Sequence, residues 1–195
     1  MACALAPELR FARERNGVRI VPCGVGPVEA AAAVARELAL RPYAAVVNAG
    51  IAGAFRPHAA VGDALVVTRE TLAGLGLEGG EPLILPGGAT LVDTQPADPD
   101  LARRCADLPL GTGLTVAQVT TTDETARDLA ARYGAHVESM EGFSVLRAAA
   151  LAGVPALEVR GISNYVGARA SSAWNFEAGA RAAARALDAV LDRLI

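Results

Sequence analysis

Residues 27–54 read PVEAAAAVARELALRPYAAVVNAGIAGA, and the change of period inside this stretch decides the fold. Pro27 follows Gly26 and suits the first turn of a helix, where its missing N–H leaves no bond unmade. Alanine, valine and leucine then recur at helical spacing, which predicts a helix over 27–40. Past Arg41-Pro42 the pattern turns to Ala45-Val46-Val47-Asn48, a short run that reads as a buried strand. The same alternation continues outward in both directions. Strands are expected at 64–68, 114–117 and 156–160, with an earlier one at 18–21 and a first one within residues 1–5. Helices are expected over 122–133, 140–151 and 175–194, with Asp123 as cap of the first of these and Gly134 as its end. Residues 72–99, richer in Gly and Pro, read as loops with one or two short strands. Strand and helix alternating throughout means an α/β sheet covered on both faces, and one domain over residues 1–195.

Composition narrows the function. Of 195 residues 52% are hydrophobic and 20% charged, enough for a core and unlike a disordered chain. Eighteen basic residues against twenty-one acidic give a net charge of −3, with no basic stripe to bind a nucleic acid. The apolar runs are too short for a membrane span, and residues 1–9 lack the pattern of a secretory signal. Cys3, Cys23 and Cys105 are odd in number and widely spaced, which points to a reducing, cytoplasmic setting. His58 and His136 stand alone, so no metal site is expected.

Three motifs attract attention. Gly24-Val25-Gly26-Pro27 opens a helix as a phosphate loop would, but Glu29 stands where the dinucleotide fingerprint needs a third glycine and no lysine follows. It reads as a tight turn that starts a helix. Asn48-Ala49-Gly50-Ile51-Ala52-Gly53-Ala54 leaves a buried strand with side chains small enough for a ligand to approach the backbone. Val137-Glu138-Ser139-Met140-Glu141-Gly142 places two acids at the start of an apolar helix, and Arg160-Gly161-Ile162-Ser163-Asn164 ends a buried strand. Capping alone accounts for such acids, and a turn for such an asparagine.

Taken together, these segments resemble the nucleoside phosphorylase/nucleosidase superfamily in content and order, from Ala4 to Trp174. Within it, the stretch around Glu141 together with 161–167 and 172–175 most resembles the futalosine hydrolase branch. The resemblance implies a three-layer α/β/α sandwich with a mixed, curled central sheet. It also implies cleavage of the N-glycosidic bond of futalosine with release of hypoxanthine, in menaquinone biosynthesis. In this reading Glu141 accepts hydrogen bonds from the ribose hydroxyls, Met140 packs under the ribose, and Glu8 activates water. Asn164 donates to a 6-oxopurine, where adenine-releasing relatives carry an aspartic acid.

Ile51, Ala52 and Gly53 are expected to line the site, and Thr120, Thr121 and Thr122, which leave a strand, to contact the base, with a plain strand end and helix cap as the competing reading. Phe143 and Trp174 are candidate walls, and Arg169 a partner for the substrate's benzoate carboxylate; a core position and a solvated loop are the competing readings. Ile51 stands where phosphorolytic relatives use serine and Gly24–Gly26 carries no arginine, so water is the expected nucleophile. The expected partners are a small nucleoside and further copies of the chain, with no cofactor, nucleic acid or membrane. The competing functions are a purine nucleoside phosphorylase, a methylthioadenosine/S-adenosylhomocysteine nucleosidase, and a nucleoside sensor without turnover.

Overall fold

Eight strands form one sheet in the computed structural model, which describes residues 1–78, 83–168 and 173–195. In chain order the elements are β1 (Ala2–Cys3), a 3-10 turn (Ala6–Leu9), β2 (Val21–Pro22), α1 (Pro27–Leu40), β3 (Val46–Ala54) and β4 (Ala64–Leu72). There follow β5 (Thr94–Pro96), α2 (Pro99–Arg104), β6 (Leu110–Thr115), α3 (Asp123–Tyr133), β7 (Val137–Ser139), α4 (Gly142–Leu151), β8 (Ala156–Tyr165) and α5 (Phe176–Leu194).

The sheet is mixed and curled, as expected. β3 pairs parallel with β8 from Val46↔Ala156 to Ala54↔Tyr165. Its other edge meets β1 in parallel at Asn48 and antiparallel β7 at Gly53 and Ala54. β4 runs antiparallel to β8 at its start, antiparallel to β5 at its end, and parallel to β6 along its other edge. Because β6 also pairs with β7, the strands β3, β8, β4, β6 and β7 close on one another. Long twisted strands that change neighbours along their length produce this curl.

Helices cover both faces. On one, Leu187, Val190 and Leu191 of α5 pack with Leu101 of α2 on Val47, Leu157 and Val159 of the sheet. The helical spacing of these α5 residues gives one apolar stripe, and burying Leu187 fully stabilises by about 1.5–3 kcal/mol. On the other, Ala30 and Val34 of α1 pack with Val145, Leu146 and Ala149 of α4 against Val46 and Ala156. α3 closes the far end through Leu129 and Ala130 beside Leu114 and Phe55. Among the described residues, no helix is long and apolar enough to cross a membrane.

The structure corrects several boundaries. β3 and β8 continue to Ala54 and Tyr165, beyond the expected ends at 48 and 160. Their small residues mark close approach rather than a strand exit. A Cβ on Gly161 would lie 2.1 Å from the Gly179 carbonyl oxygen, so α5 packs its backbone directly on β8. Residues 137–139, expected to lead into a helix, form β7 between β3 and β6, and α4 starts only at Gly142. Of the strand expected at 18–21 only Val21 pairs, and the one expected at 114–117 runs from Leu110 to Thr115. Thr122, not Asp123, caps α3 by accepting from the Thr125 N–H, while the Asp123 carboxylate accepts from Ala168. Gly134 ends that helix in the left-handed conformation, as its lack of a Cβ allows.

Candidate active site

A cleft opens where the carboxyl ends of β3 and β8 meet the start of α4. Such strand ends are the usual ligand site of α/β sheets. Its lining brings together Glu8, Ile51, Ala52, Gly53, Met140, Glu141 and Asn164, side chains that lie up to 156 positions apart in the chain.

Glu8 stands in the 3-10 turn after β1, almost fully buried. Its Oε2 accepts from the Ile51 N–H at 2.9 Å and its Oε1 from the Leu5 N–H at 3.1 Å. A Cβ on Gly50 would sit 2.3 Å from that Oε2, so only glycine leaves Glu8 this place. Burial pushes the Glu8 carboxyl up from the ordinary glutamate value; Glu141 adds to this, while the Ile51 N–H and Arg160 oppose it. A carboxylate with a raised pKa that lines a cleft suits general-base work.

Glu141 immediately precedes α4. Its Oε1 accepts from the Gly26 N–H at 2.9 Å, and its Oε2 lies 3.9 Å from Arg160 Nη1. The glycine turn before α1 therefore directs a backbone donor at the protein's own carboxylate, which agrees with its reading as a helix-starting turn. Arg160 is buried, bonds Glu158 through Nε at 2.6 Å and reaches the Ile51 carbonyl at 3.4 Å. Burial works against its charge, but Glu158, Glu141 and Glu8 outweigh that and raise its pKa further.

Asn164 owes its aim to a bulge. The β3–β8 register slips between Ala52 and Gly53, leaving Ser163 as the extra residue. Bulges re-aim side chains in this way next to sites. The Ser163 hydroxyl donates to the Ala52 carbonyl at 3.2 Å and to Asn164 Oδ1 at 2.8 Å, and Asn164 Nδ2 donates to the Tyr165 carbonyl at 3.0 Å. Gly53 pairs with Asn164 on one side and Glu138 on the other, so both side chains stand level across the cleft floor. Glu138 is held by the Thr120 N–H at 3.1 Å and the Thr120 hydroxyl at 2.5 Å. Burial pushes its carboxyl up against those two bonds.

The remaining candidates divide. Trp174 lines the cleft, joined by Phe176 at the start of α5. Phe143 does not; it is buried in the first turn of α4, and its N–H bonds the Thr115 hydroxyl at 2.7 Å. Thr121 faces a separate groove beside α3 and Thr122 caps that helix, because β6 ends at Thr115 and the three threonines follow a loop. Thr120 is the one that reaches the site, through Glu138. Arg169 lies outside the described residues. Sequence reasoning named Glu138 and Arg160 only as parts of motifs, and gave Glu70 and Glu158 no role. Among the described residues no group of three His, Cys, Asp or Glu side chains is placed to hold a metal.

With this geometry in view, the sequence model described as "Phosphorylase superfamily" matches residues 9–195. The chain belongs to the phosphorylase superfamily. It is 41% identical over 180 residues to the futalosine hydrolase of Streptomyces coelicolor, covering 86% of this chain and 76% of that one. It is 37% identical over 184 residues to the futalosine hydrolase of Thermus thermophilus, covering 90% and 82%. In fold it resembles the 5'-methylthioadenosine/S-adenosyl homocysteine nucleosidase of Helicobacter pylori, with a TM-score of 0.82 over 98% of this chain and 96% of that one at 19% identity. By name these relatives are hydrolases and a nucleosidase.

Proposed function

We propose that the chain is a futalosine hydrolase, which cleaves the N-glycosidic bond of futalosine with water and releases hypoxanthine and dehypoxanthine futalosine, a step of menaquinone biosynthesis. The observation that carries this reading is the convergence of Glu8, Glu141 and Asn164 in one cleft; the names of the 37–41% identical relatives support the substrate.

Cleavage passes through a sugar with oxocarbenium character, so charge must be stabilised at the ribosyl ring. The Glu141 carboxylate grips ribose hydroxyls and favours that positive charge. Met140 packs beside it. Glu8 takes a proton from water as the oxygen bonds to the anomeric carbon, and the electron pair of the broken C–N bond leaves with the purine. The purine is then protonated, and Glu8 returns its proton to solvent. A 6-oxopurine presents acceptors at O6 and N7 and a donor at N1. The Asn164 amide supplies a donor for O6 or N7, both acceptors in a 6-oxopurine, whereas adenine presents a donor at its 6-amino group; the Glu138 carboxylate supplies an acceptor for N1–H. A mismatch would leave a buried polar group unpaired, at a cost of about 1–3 kcal/mol. Phosphate is disfavoured as nucleophile because the Gly26 N–H serves Glu141 and Ile51 offers no hydroxyl.

These residues supply base, sugar and purine contacts without a cofactor. We further infer that the chain acts as one domain, in the cytoplasm, as a homo-oligomer. The deciding experiment incubates purified protein with futalosine, inosine and methylthioadenosine, with and without phosphate, and measures free base. Phosphate-independent hypoxanthine release from futalosine is expected. Strict dependence on phosphate, or preferential release of adenine, would overturn the reading.

A further inference from the structure

Beneath the cleft lies a charged assembly that this chemistry does not use. Glu70 on β4 and Glu158 on β8 are fully buried. Glu70 Oε2 accepts from the Thr115 hydroxyl at 2.7 Å, and that hydroxyl accepts from the Phe143 N–H at the start of α4. Glu158 Oε1 accepts from Arg160 Nε at 2.6 Å. Among the described residues, the other oxygen of each, Glu70 Oε1 and Glu158 Oε2, has no hydrogen-bond partner. These two oxygens border one point: a Cβ on Gly142 would lie 2.4 Å from the first and 2.7 Å from the second. Two carboxylates that close, both fully buried, do not both ionise. One proton between them satisfies both orphaned oxygens at once.

We propose that Glu70 stands as a carboxylic acid that donates its proton in a hydrogen bond to Glu158, and that this pair positions Arg160 so that its charge is answered by Glu158 and withheld from Glu141. Glu158 sits at 2.6 Å from the guanidinium and Glu141 at 3.9 Å, so the nearer carboxylate takes the ion pair. Glu141 then keeps its negative potential toward a cationic sugar, a consequence that rests on the function proposed above. Burial and the neighbouring Glu158 hold the Glu70 carboxyl well above the ordinary glutamate value, with the Thr115 hydroxyl and Arg160 only partly opposing. The division of labour follows from position, since Glu158 has the guanidinium beside it and Glu70 has only a hydroxyl. In the β3–β8 register Asn48 stands opposite Glu158 and Gly50 opposite Arg160, so Gly50 opens the path from the guanidinium toward Glu8. The titratable groups facing Glu8 are Arg160, Glu141, Cys3 and Cys23. Burial pushes the Cys3 thiol up to about 12 and the Cys23 thiol to about 11, so both are neutral near pH 7 and only Arg160 and Glu141 act on Glu8 as charges.

The test combines infrared spectra with pH–rate profiles. Wild-type protein near pH 8, well above an ordinary carboxyl's range, is expected to retain the carbonyl band of a protonated carboxylic acid, and Glu70→Gln to lose it. Absence of that band from the wild type overturns the shared proton. Glu158→Gln keeps the shape and removes the charge, so Arg160 turns toward Glu141 and Glu8. The expected result is a fall in kcat of about tenfold or more, and an acid limb of kcat/KM shifted about one unit to lower pH. Glu70→Gln, whose amide donates the same hydrogen bond, keeps the acid limb at the wild-type position, as does Glu158→Asp, which keeps the charge. An unmoved acid limb in Glu158→Gln overturns the positioning role, which a merely structural residue would also leave unmoved. Should wild-type protein release no base from futalosine, the proposed function fails while the infrared arm still decides the shared proton.

Discussion

Two pairs of glutamates meet one arginine from opposite sides, and they differ in what caps them. Glu8 and Glu141 border the cleft, and backbone N–H groups of Leu5, Ile51 and Gly26 point at their oxygens. Glu70 and Glu158 are fully buried on the sheet, where among the described residues a hydroxyl and the guanidinium are the only donors bonded to them. At the cleft, backbone donors oppose the effect of burial on Glu8, and both carboxylates line the opening. In a closed space with one cation for two carboxylates, a proton supplies what donors do not. The same residue type is thus proposed as a reagent on one side of Arg160 and as a brace on the other.

Substitutions on the open side are expected to have the largest effects. Glu141→Ala removes the contact to the ribose and the charge facing the sugar; base release should fall about 1,000-fold or more with far-ultraviolet circular dichroism unchanged. Glu8→Gln should cost about 100-fold or more in kcat/KM. Because burial raises the Glu8 carboxyl, the wild-type enzyme should lose activity as pH falls through a value above the ordinary glutamate range, and that acid limb should disappear from the residual activity of the variant. A Glu8→Gln profile with the wild-type limb intact would assign the base elsewhere.

On the sealed side the effects fall on stability. Gly142→Ala drives a Cβ to 2.4 Å from Glu70, so urea unfolding should show a loss of about 1–3 kcal/mol. A second stability effect depends on pH. Glu70 binds its proton more tightly folded than unfolded, so folding takes up a proton above the ordinary glutamate value, and stability declines as pH rises toward the folded-state value. Glu70→Gln has no such proton, and its stability should vary less between about pH 5 and pH 9, by at most about 1.4 kcal/mol per pH unit. Equal slopes in the two proteins would mean that Glu70 carries no tighter proton when folded.

Much of the open side was legible. The run from Pro27 to Ala54 shows a helix followed by a buried strand, and Glu8, Glu141 and Asn164 were recognisable from the motifs that carry them. The sealed side was not. Glu70 lies in Thr68-Arg69-Glu70-Thr71, past the expected end of its strand at 68, and Glu158 in Leu157-Glu158-Val159, a strand expected to be mostly buried whose one acid carries no sign of its partner. Only the closing of the sheet and the packing of α4 over it bury the two together. β7 escaped notice because Val137-Glu138-Ser139 is three residues long, and its pairing comes from β3 and β6. Thr121 and Thr122 were misplaced because the length of β6 depends on its neighbours, not on its own residues.

By itself the sequence determined where strands and helices alternate, which residues form the apolar stripes, and which carboxylates and amides are available, because period and residue type act over a few positions. Tertiary structure alone decided that the Gly26 N–H serves Glu141, that the bulge at Ser163 turns Asn164 into the cleft, and which glutamates face water or are sealed from it. Charge state and aim depend on dielectric and on donors contributed from distant parts of the chain, and those are set only when the strands close on one another.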